Sequence, residues 1–234
     1  MRRILRSFSL TFLFGAIVQA SVITIDGTSF TDGLNSQVIG GLQWTSTPGN
    51  FQKKTQGGYT GVGISGLTAG EIDINEFLTA TILSGGLPFY VHSLTLGLLF
   101  DGPEYGDVQE TARVTITRLS GPTLVFTLIN TYESSGPDAA VWSGPGTVTN
   151  LSPSVHPQGA VWRIDHPFGA IDDIISIQFT ALSGSCGAGP CNNQSDFNLV
   201  QLQYQPVPEP ATVGLLATGL GALALARRRR TSRN

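Results

Sequence analysis

Histidine, cysteine and methionine are scarce in this chain: three, two and one among 234 residues. The histidines are His92, His156 and His166, and no His-Glu-x-x-His pair stands among them, so a zinc-hydrolase centre has no support. There is no Gly-x-Ser-x-Gly elbow and no glycine-rich phosphate loop ending in lysine. The common signatures of nucleophilic and nucleotide chemistry are thereby missing. Charge is sparse as well, at 12% of residues, and no basic stripe exists to meet phosphates, which argues against a nucleic-acid partner. The two apolar runs that abut clusters of arginine stand near the ends.

Near the start, Arg2, Arg3 and Arg6 precede an apolar run from Phe8 to Val18, and Val18-Gln19-Ala20 puts short side chains where a signal peptidase reads. Residues 1–20 are therefore expected to be a secretory signal peptide cut after Ala20. At the other end Val207-Pro208-Glu209-Pro210 leads into sixteen uncharged residues, Ala211 to Ala226, followed by Arg227, Arg228, Arg229 and Arg230. As a helix this run spans about 24 Å at ~1.5 Å per residue, a little short of a ~30 Å hydrocarbon core. A weak single-pass membrane segment follows, its arginines held on the cytoplasmic side and the body outside.

This tail, residues 206–234, resembles the PEP-CTERM sorting domain of Gram-negative bacteria. Pro208-Glu209-Pro210, the Gly/Leu/Ala-rich helix and the arginine cluster stand in that family's order. The resemblance covers the tail alone. It implies recognition by an exosortase, a membrane-embedded cysteine transpeptidase that cuts near Pro-Glu-Pro, with the inner membrane as a transient partner. The rest of the chain is then released or re-anchored at the cell surface. Tails of this kind are also classed as an ice-binding-protein C-terminal domain, a label for the tail and not for the body.

What remains is an exported domain of residues 21–205. Of 13 Lys and Arg, eight lie in the end segments, and of 16 Asp and Glu only Glu209 does, which leaves 5 against 15 and a net charge of -10. Such acidity suits solubility or cation binding outside the cell. Cys186 and Cys191 enclose Gly187-Ala188-Gly189-Pro190, and export predicts a disulfide between them, since oxidising compartments favour one.

Within the domain, period-two alternation dominates. Ile175, Ile177, Phe179 and Ala181 alternate with Ser176, Gln178 and Thr180, and Ala112, Val114 and Ile116 with Arg113, Thr115 and Thr117. Further strands are expected at Val22–Ile25, Gly41–Trp44, Tyr59–Ser65, Gly70–Asn75, Tyr90–Phe100, Leu124–Ile129, Ala139–Trp142, Gly159–Ile164 and Asp196–Tyr204. Turn signals such as Asp32-Gly33, Gly57-Gly58, Gly85-Gly86 and Ser120-Gly121-Pro122 separate them. The spacing predicts an all-β fold, an antiparallel β-sandwich or jelly-roll-like domain. Ile74 to Ile82 is the one exception, with Phe77, Leu78 and Ile82 at helical spacing. Gln203–Pro208 reads as an extended linker. The stretches Gly61–Leu78, Phe89–Glu110 and Asn192–Phe197 resemble other exported PEP-CTERM proteins with β-sandwich bodies, which bears on the fold only.

Two acidic stretches are candidates for chemistry. Phe100 to Glu110 holds Asp101, Glu104 and Asp107 on a glycine-containing loop, and crowded oxygens of this kind suit calcium. A solvated acidic hairpin accounts for the same residues. In Glu71-Ile72-Asp73-Ile74-Asn75-Glu76, an extended chain turns Glu71, Asp73 and Asn75 to solvent and Ile72 and Ile74 to the core. If that row met the Asp101 loop, a cation or sugar site would result. Trp44, Trp142 and Trp162 with Tyr59, Tyr90, Tyr105 and Tyr132 form a stacking face for sugars if exposed, and core if not. The expected function is a non-catalytic surface or exopolysaccharide-associated protein with no obligatory cofactor. The alternative is an extracellular carbohydrate-active enzyme using paired carboxylates.

Overall fold

A computed structural model of the protein describes residues 20–99, 107–131, 139–152, 160–186 and 195–207, together with 219, 221 and 222. Ser21–Val207 forms one compact unit; residues 1–20 and 208–234 form the other, of which only Ala20, Gly219, Gly221 and Ala222 are described. Among the described residues no helix is long and apolar enough to cross a membrane. The run from Ala211 to Ala226, the arginine cluster and the segment before Ala20 lie almost wholly outside the described residues.

Among the described residues the body has fourteen strands. In chain order they are β1 (Ile23–Asp26), β2 (Ser36–Ile39), β3 (Leu42–Thr47), β4 (Phe51–Gln56), β5 (Tyr59–Ile64), β6 (Phe77–Ile82) and β7 (Phe89–Leu99). They continue with β8 (Asp107–Arg118), β9 (Leu124–Thr131), β10 (Ala139–Trp142), β11 (Thr147–Asn150), β12 (Ala160–Asp165), β13 (Ile174–Cys186) and β14 (Asn198–Pro206). All named pairs are antiparallel, and they follow two paths. The first ladder runs β10-β9-β8-β13-β6-β3-β2. The second runs β11-β12-β7-β14, with β1 and then the β5-β4 hairpin beyond β14. Only the pairing of Ile174 with Phe89 joins them directly. The result is an all-β, antiparallel, nearly barrel-like body.

Alternation explains which residues point in. Ala112, Val114 and Ile116 of β8 and Ile177, Phe179 and Ala181 of β13 are buried on one face, while Arg113, Thr115 and Thr117 take the other. Each fully buried large aliphatic or aromatic side chain contributes about 1.5–3 kcal/mol. Phe30 stitches the ladders together, meeting Trp44 of β3 and Phe51 of β4 edge-on at centroid distances of 5.0 and 5.2 Å. A second aromatic knot joins Phe126, Trp142 and Phe168, with Trp142 Nε1 donating to Pro167 O at 2.9 Å.

Three sequence expectations change. Ile74–Ile82 is no helical turn: Phe77–Ile82 is β6, paired with both β13 and β3, and Leu78 and Ala80 face the core as period two demands. Gly70–Asn75 is not a strand but a loop with isolated bridges from Glu71 to Ile64 and from Ile74 to Ala181. Gln203–Pro206 belongs to β14 and not to a linker.

The register also orients the body. Ile23 pairs with Tyr204, and Val207 N donates to Pro88 O, so the chain enters and leaves the body side by side. The opposite end gathers the pairs Leu99 with Ala160, Gly97 with Asn198, Thr131 with Ala139 and Asp107 with Cys186.

Candidate functional site

The second ladder carries an organised polar surface on its outer face. Register across β11, β12, β7, β14 and β1 aligns Thr149, Arg163, Thr95, Gln201 and Asp26 in one row, and Thr147, Asp165, Ser93, Gln203 and Thr24 in the next. Neighbours bind each other along and across these rows. Arg163 Nε donates to Asp165 Oδ1 at 2.8 Å, Gln201 Nε2 to Asp26 Oδ1 at 2.8 Å, and Ser93 Oγ to Gln203 Oε1 at 2.9 Å. Ser93 and Thr95 are buried beneath the longer side chains, so amides and charged heads form the accessible layer. Such amides present a donor and an acceptor together, which suits sugar hydroxyls.

Towards the end away from the chain termini this face closes over. Tyr59 Oη, on β5, donates to Leu151 O, just past β11, at 3.1 Å. Those strands lie on opposite flanks of the ladder, and a flat sheet would keep them about 19 Å apart at ~4.8 Å per strand. The flanks therefore curl towards each other. Beneath them the Asn198 side chain lies across Gly61 and beside Gly97, where a Cβ on either glycine would strike it. Asn198 is 1% exposed and its Oδ1 has no partner.

Nearer the termini the same face carries three rings. Tyr90 meets His92 edge to face at 4.8 Å between centroids, and His166 stands 6.3 and 6.4 Å from the two. His166 N donates to His92 O at 2.7 Å, and His166 adopts a φ of 51°, which folds it back beside β7. His92 Nε2 and Gln205 Oε1 are 2.9 Å apart; an amide oxygen only accepts, so that nitrogen carries the proton. Burial pushes the Tyr90 phenol above its ordinary value, keeping it a neutral donor.

The carboxylates of these two rows, Asp26 and Asp165, stand three strands apart in the ladder order, and each is engaged, Asp26 with Gln201 and Asp165 with Arg163.

The acidic stretch from Glu71 to Glu76 is the clearest correction. Glu71, Asp73 and Glu76 are 1%, 1% and 4% exposed, so the solvent-facing row does not form. Asn75 is the exposed residue, at a φ of 67°. Ile64 N donates to Glu71 O and Ile72 N to Phe197 O, pinning the loop across the end of β5 and the start of β14. Asp73 accepts from Thr68 N at 2.7 Å and Thr68 Oγ1 at 3.2 Å; Glu76 accepts from Leu67 N and Asp73 N, each at 3.1 Å. Lys54 Nζ meets Glu71 Oε1 at 2.7 Å. Burial raises the Asp73 carboxyl despite the Thr68 bonds, and burial raises Glu76 with the Asp73 charge adding to it. These carboxylates hold a loop in place.

Ile74 bridges Ala181, whereas the Asp107 backbone pairs with Cys186, five residues further along β13. At ~3.4 Å per residue, the Asp107 backbone stands about 17 Å along β13 from the Ile74 bridge. Asp101 and Glu104, and the side chain of Asp107, lie outside the described residues, as do Cys191 and the sulfur of Cys186. Among the described residues no group of three or more His, Cys, Asp or Glu is placed to hold a metal ion. Trp44, Trp142 and Trp162 are buried and belong to the core, while Tyr59 and Tyr90 are half-buried on the outer face. Sequence reasoning missed the cluster of Tyr90, His92 and His166, because His166 reaches β7 only through the pairing of β12.

The model of the PEP-CTERM protein-sorting motif family matches residues 206–230. No curated protein and no solved structure matches the chain. The match takes in Pro208-Glu209-Pro210, the apolar run and Arg227, Arg228, Arg229 and Arg230. This chain thus ends in a PEP-CTERM protein-sorting motif, and it is an exported protein with a membrane-anchoring C-terminal signal processed by an exosortase.

Proposed function

We propose that the body is a non-catalytic, polysaccharide-associated surface protein with a jelly-roll-like sandwich fold, delivered by a cleavable signal peptide and freed or re-anchored after exosortase cleavage. The carrying observation is the outer face of the second ladder: two aligned polar rows, an aromatic and imidazole cluster at one end, and an inward curl at the other. Tyr90 offers a ring for stacking, and Gln201, Gln203 and Gln205 offer paired donors and acceptors, the combination that sugar recognition uses.

Affinity electrophoresis of the exported protein through gels containing dextran, xylan or a soluble β-glucan tests this reading. Retardation by at least one neutral polymer, lost in Tyr90→Ala and unaccompanied by new reducing ends, is the expected result. Release of reducing ends, or retardation by none of the three, overturns it.

A further inference from the structure

The opposite outer face, on the first ladder, is almost free of charge. One row across it reads Val125, Thr115, Gln178, Thr79, Thr45 and Ser36, six strands wide, about 24 Å at ~4.8 Å per strand. The next row contains Arg113, with Thr127 opposite it on β9 and Thr180 on β13. Thr111 and Thr115 flank it along β8 on the same face. One guanidinium is therefore ringed by four threonines.

The cations of the body make that position unusual. Lys53 lies 3.8 Å from Asp32, Lys54 2.7 Å from Glu71, Arg118 2.6 Å from Asp173 and Arg163 2.8 Å from Asp165. Arg113 is the fifth and has no carboxylate among the described residues. Its Nε is enclosed and bonded to nothing. A buried donor left unsatisfied is destabilising, more so when it belongs to a charged group, and no carboxylate among the described residues meets this one.

We propose that Arg113 with Thr111, Thr115, Thr127 and Thr180 forms a binding site for a carboxylate group, and that its ligand is a uronic-acid polysaccharide lying along the threonine rows. A guanidinium fork matches a carboxylate with two parallel hydrogen bonds, and the hydroxyls of the half-buried Thr115 and Thr127 supply further donors and acceptors to adjacent ring oxygens, while the buried Thr111 and Thr180 form the floor. The six-strand row gives an extended chain several sugars' length of contact. This inference rests on the reading of a polysaccharide-associated body and names the substrate class, but places it on the other face.

The exported protein is titrated by calorimetry with polygalacturonate, with neutral dextran and with dextran sulfate. Polygalacturonate binds the wild type; Arg113→Gln weakens it about tenfold or more, and Arg113→Lys, which keeps the charge but loses the fork, recovers only part. Circular dichroism melts of both variants check that the body is folded. Wild-type affinity in Arg113→Gln, no binding of polygalacturonate, or equal binding of dextran sulfate overturns the proposal. Failure of the neutral polymers alone, with polygalacturonate binding kept and dependent on Arg113, sinks the neutral-glycan reading of the Tyr90 face and leaves this one standing.

Discussion

Across β12, β7, β14 and β1 the outward-facing charges are matched: Arg163 binds Asp165, and Asp26 binds Gln201. Across β9, β8, β13 and β6 the central outward charge is Arg113, whose Nε has no partner among the described residues. Both surfaces arise from the same alternation on the same kind of antiparallel ladder, so the difference lies in side-chain chemistry. Threonine satisfies the preference of a strand for β-branched residues while leaving its hydroxyl free to turn. Long amides and charged groups instead bond one another and give the second face a set shape. One surface is settled before any partner arrives, and the other keeps a cation in reserve.

The largest test of this contrast is steric. The backbone of Glu71 and Gly70 lies directly over Gly63, on the outer side of the second ladder, where no Cβ fits. Gly63→Ala should cost about 3 kcal/mol and lower the melting temperature by roughly 6–12 °C, whereas Thr115→Ala on the open threonine row should cost under about 1 kcal/mol. Equal losses from the two would dissolve the distinction between a packed and an open face.

Next in size is the ion pair at the rim of the first ladder. Arg118 hydrogen-bonds Asp173 at 2.6 and 3.2 Å and holds its carboxyl below the usual carboxylate range, with Ser120 helping and burial opposing. A depressed folded value means the stabilisation is present above the unfolded value of about 3.9 and is lost as pH falls through the folded one. Arg118→Gln should therefore cost about 1–2 kcal/mol near pH 7, with the difference shrinking in melts as pH falls below the ordinary carboxylate value.

Glu76→Gln probes the opposite sign. Burial raises this carboxyl, so the wild type loses stability as pH rises from the ordinary carboxylate value through the raised one. The stability of the variant relative to wild type should move in the variant's favour as pH rises above the ordinary carboxylate value, by less than about 1 kcal/mol. Movement the other way would mean that the loop's backbone donors, not burial, govern the group.

The smallest effect is expected at Arg163, where the pair with Asp165 is about 42% and 36% exposed. Denaturant unfolding of Arg163→Gln should match wild type within about 0.5 kcal/mol. A larger loss would show that the paired face contributes stability as well as shape.

The strands with the cleanest alternation were readable in advance. β8 and β13 show it over six or seven residues, and both lie where the pattern places them, because period two is a property of the extended chain alone. The short strands β2, β4 and β11 carried no comparable pattern and escaped notice. Glu71 to Glu76 was misread for a physical reason: a polar residue at every second position looks the same whether its carboxylate meets water or caps a backbone amide. What distinguishes the cases is Phe197 O and Ile64 N, more than a hundred residues apart in the chain. Phe77, Leu78 and Ile82 misled in the same way, since three apolar residues fit two periods until the partners β13 and β3 select one.

Residues 206–230 needed no fold to be recognised, since a sorting signal is written in local order: a Pro-Glu-Pro, an apolar run, then arginines. The all-β class and the acidic excess of the exported part were likewise local or compositional properties. Tertiary structure alone decided which face bears the rings of Tyr90, His92 and His166, which carboxylates disappear from solvent, and that Arg113 stands among threonines with no partner for its Nε among the described residues. Those facts depend on the register between strands distant in sequence, and register is selected by the burial of a whole core at once, not by any one strand's pattern.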